Sequence, residues 1–399
     1  MLRIFQPIFF ALVLCYSSLL FAQEDAQIYA DAVQLMESDE FEMALDAFSY
    51  IPDYEDTNYR SVICALLSFK YRNTPIDKLL AFKDTPESDE LFNYWLGRVQ
   101  LRRFQLAEAE ESFNMFLNDI HYSKGSEFYK SDAETKLLLI QGASEKMVIA
   151  PLESPINSRY ADLPGAFMSG GDQLIFMFDR NGQGSFEVYK TDKGSYGWNA
   201  PEVISPTKIP SEFLNVLNVK ESLVFLDPDN KHLQKVDVTG GSWNVHEDLD
   251  LAFLQDAHHI YMNRYGNRVI FSKKVDGGHL DLYESYKLRS TGEWMDPTPI
   301  PGQVNGTYDE DYPFLTEDRS RLYFSSNRPG GLGKCDIYYV EMDPDTNLWD
   351  KPINAGLPVN SVDDDISFSI SSDNKTGLIS SNRIYSSGDL DLFVVEVKD

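Results

Sequence analysis

Residues 309–343 read DEDYPFLTEDRSRLYFSSNRPGGLGKCDIYYVEMD. DYPFLT alternates into an apolar strand, EDRSR is a polar turn, and RLYFSS is a second strand. NRPGGLGK is a glycine-rich loop, and DIYYVEM is a third strand whose tyrosines and Val340 suit a half-buried pleated surface. Three short strands in succession, broken only by turns, describe a small antiparallel sheet.

The same pattern recurs on both sides. Its second strand ends at Phe176, Phe225, Phe271, Phe324 and Ile379, giving spacings of 49, 46, 53 and 55 residues. That period is expected of four-stranded β-propeller blades, and five copies predict five blades. The third strands open on Asp281, Asp336 and Asp391 after glycine-containing loops. The second copy, VKESLVFLDPDNKHLQKVDV, lacks both the glycine and the aspartate and is the most degenerate. A fourth strand is announced by Trp-x-x-Pro at Trp198–Pro201, Trp294–Pro297 and Trp349–Pro352, since proline suits an outer edge. The last copy has no such segment. Pro352, Asp363 and Phe368 have the spacing of Pro151, Asp162 and Phe167, so residues 148–157 are predicted to supply the outer strand of the last blade and close the ring.

Ahead of the strands, residues 24–147 have helical periodicity. Ala32, Leu35, Ala44 and Phe48 fall on recurring faces, and Leu96, Gly97, Ala109 and Phe113 repeat the plan, with small residues letting paired helices approach and an aromatic filling the gap. Phe82 marks a degenerate copy between them. The fold class is therefore an α-helical solenoid followed by an all-β propeller over 148–399. A groove on such a solenoid would take a peptide or protein segment, and Tyr94, Trp95 and Arg98 are candidates to line it, although packing between helices is the favoured reading for Trp95. Arg102 and Arg103 read as a basic site or as a solvated helix face.

Residues 1–23 carry an early Arg3, an apolar core and a small residue at Ala22, the plan of a secretory signal peptide. Leu14 stands before Cys15 where a lipoprotein signal needs a small residue, so no lipid anchor is expected. Cys64 and Cys335 then remain and are expected as free thiols. A net charge of -28 excludes nucleic acid and adhesion to anionic lipid as partners, because both require basic patches.

The loops AFMSGGDQ, LTEDRSR and SISSDNK, with Ser326-Asn327-Arg328-Pro329-Gly330-Gly331 and Ser381-Asn382-Arg383, resemble the TolB-like, WD40-like (PD40-type) propeller repeat. The helical part resembles the tetratricopeptide (TPR) repeat. The combination is similar to periplasmic and outer-membrane-associated proteins of the type IX secretion and gliding apparatus, many of which continue into an OmpA-like domain that is not expected here. The resemblance implies a periplasmic protein, associated with the outer membrane, that binds envelope or secreted proteins.

Propellers of this size include glycoside hydrolases, whose paired carboxylates act as acid and base. Asp256, Asp309, Asp311, Asp363 and Asp365 open the innermost strands and, with Tyr308 and Tyr312, are candidates to bind or cleave a glycan. Aspartate also caps turns, and repetition in several blades argues for that role. His258 and His259 adjoin Asp256, but successive residues of a regular strand face opposite ways, so the two are not expected to share an ion. Calcium between the Asp309 and Asp363 clusters is a further possibility. Neither a cofactor nor a catalytic set is expected, and the chain reads as a non-enzymatic interaction protein.

Overall fold

The structure is a computed structural model. It describes residues 23–118 and 127–398 apart from 155, 169–171, 180–184, 196, 206–208, 211–216, 220–221, 227–231, 238–243 and 250. All but the last residue of the expected signal peptide lies outside the described residues. Two compact units, Met1–Leu137 and Leu138–Asp399, divide the chain.

The first unit is helical. Residues 23–37 form α1, followed by α2 (Phe41–Ser49), α3 (Thr57–Leu67), α4 (Asp77–Leu80), α5 (Phe92–Arg102), α6 (Leu106–Asn118) and α7 (Glu127–Gln141). Helices α2 and α3 pack together, as do α5 and α6. Gly97 explains the close approach of the second pair. A methyl group there would stand 2.9 Å from ring atoms of Phe113, which is fully buried. Arg102 is not on a solvated face. It is buried, and its Nη1 donates to the carbonyls of Leu66 and Ser68 at 2.9 and 2.8 Å, satisfying acceptors that the end of α3 leaves without intrahelical donors. Arg103 donates to the Thr74 carbonyl at 2.5 Å. Among the described residues, no helix is long and apolar enough to cross a membrane.

The second unit is built of antiparallel sheets. It opens with β1 (Met147–Pro151). The first sheet holds β2 (Asp162–Met168), β3 (Gln173–Phe178), β4 (Ser185–Gly194) and β5 (Gly197–Trp198), with the short β6 (Glu202–Val203) and β7 (Ile209–Pro210) also on β4. Next come β8 (Leu217–Val219), β9 (Ser222–Leu226), β10 (Leu233–Asp237) and β11 (Asn244–Leu249). The third sheet is β12 (Ala257–Met262), β13 (Arg268–Lys274), β14 (Leu280–Tyr286) and β15 (Thr298–Pro299). The fourth is β16 (Glu310–Leu315), β17 (Arg321–Ser326), β18 (Asp336–Glu341) and β19 (Ile353–Asn354). The last combines β20 (Asp365–Ile370), β21 (Thr376–Ser381) and β22 (Asp391–Val397) with β1.

This is a β-propeller-like arrangement. Strand β2 lies against β8, β8 against β12, β12 against β16, β16 against β20, and β20 against β2. The sequence period maps onto it directly, because Phe176, Phe271, Phe324 and Ile379 pair with Tyr189, Tyr283, Tyr338 and Phe393 at equivalent registers. The outer strands β15 and β19 are two residues long and follow Pro297 and Pro352, while Trp294 and Trp349 contribute only isolated bridges. Missing proline donors keep these edges short.

The last sheet is completed from the start of the unit. Met147 pairs with Val397 and Pro151 with Phe393. Beyond β1, Leu152 and Ile156 join a core of Leu174, Phe176, Phe178 and Tyr189 from the first sheet and Leu378 and Leu392 from the last. Asn157 then clamps β22, donating from Nδ2 to the Leu392 carbonyl and accepting at Oδ1 from its amide. Asn305 does the same to Leu282 and Asn360 to Ile337, the matching positions of β14 and β18. The N-terminal segment thus gives the last sheet the bond pattern that the third and fourth sheets receive from the chain following their outer strands.

Candidate functional site

Tyr94, Trp95 and Arg98 do not line a groove. They are 0%, 1% and 5% exposed, respectively. Helix α7 is the reason: its Tyr129 ring lies 5.0 Å from that of Tyr94 and 5.9 Å from that of Trp95. The Tyr94 and Arg98 polar ends are met inside the unit, Tyr94 Oη donating to Asp132 at 2.8 Å and Arg98 Nη1 to Asp39 at 2.7 Å. These residues are core, with a buried charge held by its ion pair.

The acids that open the inner strands are largely structural. Asp365 is fully buried; it accepts from the Ser361 amide at 2.5 Å and from Arg383 Nη2 at 2.6 Å. Arg383, itself 1% exposed, also donates to the Val359 and Pro358 carbonyls. One sheet earlier Glu310 takes the same part, accepting from the Gly306 amide at 3.0 Å and from Arg328 at 2.7 Å. In the first sheet Asp162 accepts from the Ser158 amide at 2.6 Å. The arginine of Ser-Asn-Arg is therefore a clamp on the acid that opens its own sheet. Its asparagine is a second clamp: Asn327 exchanges hydrogen bonds with Asp309, and Asn382 accepts from the Asp364 amide. Asp309 also accepts from the Leu280 amide at 2.9 Å, linking the third and fourth sheets. Asp363 donates its amide to Ser361, and Asp256 is exposed in the turn before β12. Asp309 and Asp363 belong to no metal-holding group found among the described residues.

These clamps have a sequence signal that strand periodicity does not reveal. Asn-Ser or Asn-Gly followed by an acid five residues after the asparagine occurs at Asn157–Asp162, Asn305–Glu310 and Asn360–Asp365. The asparagine grips a neighbouring strand and the acid receives the amide of the residue after it.

Asp311 differs. It sits one residue beyond the clamped Glu310, at a bulge between Asp311 and Phe314. Its carboxylate stands 2.9 Å through both oxygens from Nδ1 of His259, and it accepts from Ser272 Oγ and from the Tyr312 amide. Burial pushes its pKa up, but the His259 imidazole and Ser272 hydroxyl outweigh that and hold it below the usual carboxylate range. Tyr312 holds a left-handed backbone, φ 48°, uncommon for a bulky residue. Its ring stacks on His259 with centroids 3.6 Å apart at 22°. Tyr308 is exposed nearby in sequence and makes no part of this stack.

Opposite, β12 is bulged between Ala257 and Ile260. A bulge breaks the strict alternation of faces, so His258 and His259 need not point apart. One donor atom from each of His258, His259 and Asp311 lies within 4.8 Å of the other two. The bulge thus brings the two successive histidines near Asp311 together, where a regular strand would turn them to opposite faces.

No protein-family model matches the chain, and no curated protein matches it. Solved structures do. TolB from Acinetobacter baumannii is 14% identical over 69% of this chain and 72% of its own, with a TM-score of 0.37. The putative TolB from Agrobacterium tumefaciens is 13% identical over 60% and 84%, with a TM-score of 0.34. A thermostable family-43 glycoside hydrolase is 14% identical over 61% and 91%, with a TM-score of 0.38. At these identities no activity, ligand or partner passes from them to this chain.

Proposed function

We propose that the protein is a non-enzymatic interaction scaffold of the bacterial cell envelope, exported by residues 1–23 and working in the periplasm, with a TPR-like solenoid and a five-bladed, TolB-like propeller that bind envelope or secreted proteins. A role accessory to type IX secretion or outer-membrane assembly fits that architecture. The observation that carries the reading is the commitment of the repeated acids: Asp162, Glu310 and Asp365 are tied to backbone amides, the last two also to arginines. A glycosidase needs two carboxylates in unlike environments. Near-identical structural clamps do not supply that pair.

Crosslinking in the cell, followed by recovery of the full-length protein and mass spectrometry of what comes with it, tests the proposal. Reproducible enrichment of outer-membrane or secretion proteins is the expected result. Recovery of the protein alone, together with hydrolysis of a glycan panel that is lost in Asp309→Asn and Asp363→Asn, would replace this reading with the enzymatic one.

A further inference from the structure

We infer that His258, His259 and Asp311 form a binding site for one divalent transition-metal ion of the zinc class, bridging the inner strands of the third and fourth sheets. Three features of the molecule carry this.

The first is geometry. The donor atoms lie within 4.8 Å of one another, and two ligands of a tetrahedral zinc with bonds of ~2.0–2.1 Å stand ~3.3 Å apart. His259 Nδ1 and Asp311 stand 2.9 Å apart as a hydrogen-bonded pair, so an ion bound through Nδ1 takes the place of the shared proton and the two donors part by a few tenths of an ångström. His258 is exposed, so its side chain can rotate to close the remaining distance without repacking the core.

The second is how the two inner ligands are held. Side chains of His259 and Asp311 are each 15% exposed, Asp311 is fixed by Ser272 and the Tyr312 amide, and His259 is fixed by the stacked Tyr312 ring. Metal-ligating side chains are oriented in this manner by hydrogen bonds from the next layer out. The left-handed Tyr312 of β16 falls on this cluster, and the inner-strand bulge that β12 shares with β2 and β20 here carries the two histidines. Backbone in a sparsely populated region persists only where its surroundings over-determine it, and it concentrates at functional sites.

The third is ligand chemistry. Two imidazoles and one carboxylate suit zinc and its neighbours, whereas calcium and magnesium take oxygen ligands almost alone. Net charge of -28 raises the local concentration of any divalent cation. Three protein ligands leave a coordination position for water or for a donor from a bound partner, which would let the ion take part in recognition.

The test is titration of the full-length protein with Zn2+ against a chromophoric chelator, repeated with Co2+ so that its absorption reports the ligands. One ion per chain is expected. Affinity should fall at least ~10-fold in His258→Ala and in Asp311→Asn, the loss already typical of removing a partner one layer further out. Excess Ca2+ should not compete, and His279→Ala and Cys335→Ser should bind as the parent does. His258 is exposed, so its variant tests the site without threatening the fold. Absence of stoichiometric binding by the folded parent, binding unchanged in His258→Ala, or a thiolate band in the Co2+ spectrum would each overturn the assignment.

Discussion

Asn157 brackets the backbone of Leu392 across 235 residues of chain, its Nδ2 donating to the carbonyl at 2.8 Å and its Oδ1 accepting from the amide at 2.9 Å. Leu392 is fully buried, so water cannot replace either bond. Asn157→Ala should destabilise the strand unit by about 1–3 kcal/mol, because it leaves the buried Leu392 amide unpaired while the carbonyl keeps its bond from the Leu152 amide. Asn305→Ala and Asn360→Ala remove equivalent pairs of bonds and should cost similar amounts. Only Asn157→Ala should also speed hydrogen exchange along Met147–Pro151, because that segment reaches β22 from the far end of the unit. Urea unfolding and exchange measured on the three variants check this. Equal exchange in all three would mean that β1 is held without Asn157.

The strand pairing was legible because burial repeats in the sequence at a fixed period: Phe176, Phe271, Phe324 and Ile379 all return to one register. Closure by residues 148–157 was legible from spacing alone, and the Asn clamp explains why the spacing is kept. Bulges were not legible. They depend on how two strands meet, and HHI in β12 looks like any regular alternation until its partner strand is known. The burial of Tyr94 and Arg98 was missed for a related reason. Periodicity gives a helix two faces but does not say that α7 will cover one of them.

Arg383 joins Asp365, Ser381 and two carbonyls in a fully buried cluster. Arg383→Met leaves the Asp365 charge without its cation, and breaking a buried pair in this way costs about 3–5 kcal/mol. Asp365→Asn removes that charge, so the double variant should be more stable than Arg383→Met alone. Chemical unfolding of the two single variants and the double variant measures the coupling. Simple additivity would show that the pair is not energetically coupled.

Gly97 sets two effects against each other. Alanine should gain ~1 kcal/mol of helix propensity in α5. Its methyl would stand 2.9 Å from the Phe113 ring, which is fully buried, and overpacking of that kind costs about 1–3 kcal/mol. The clash should win, and Gly97→Ala should lower the melting temperature of the helical unit. Adding Phe113→Leu opens space for the methyl, so the alanine should then be less harmful than in the parent background. If Gly97→Ala stabilises the parent, the two helices yield more easily than their spacing implies.

Asp162 controls a pH dependence with a definite sign. Burial, reinforced by the neighbouring Asp391, pushes its pKa from 3.8 up to about 8, against the lowering effect of its bonds from Ser158. In the unfolded chain the carboxyl ionises near pH 4, while the folded chain keeps its proton until about pH 8. The stability this group contributes is therefore fully present below pH 4 and is lost progressively as pH rises toward 8. Asp162→Asn retains an oxygen to accept the Ser158 amide bond and cannot ionise. Urea unfolding between pH 5 and 8 should show the parent losing up to about 4 kcal/mol more than the variant, since each pH unit between the two ionisations is worth ~1.4 kcal/mol. Parallel pH profiles would mean that Asp162 is already ionised in the folded chain, with the Ser158 bonds outweighing burial.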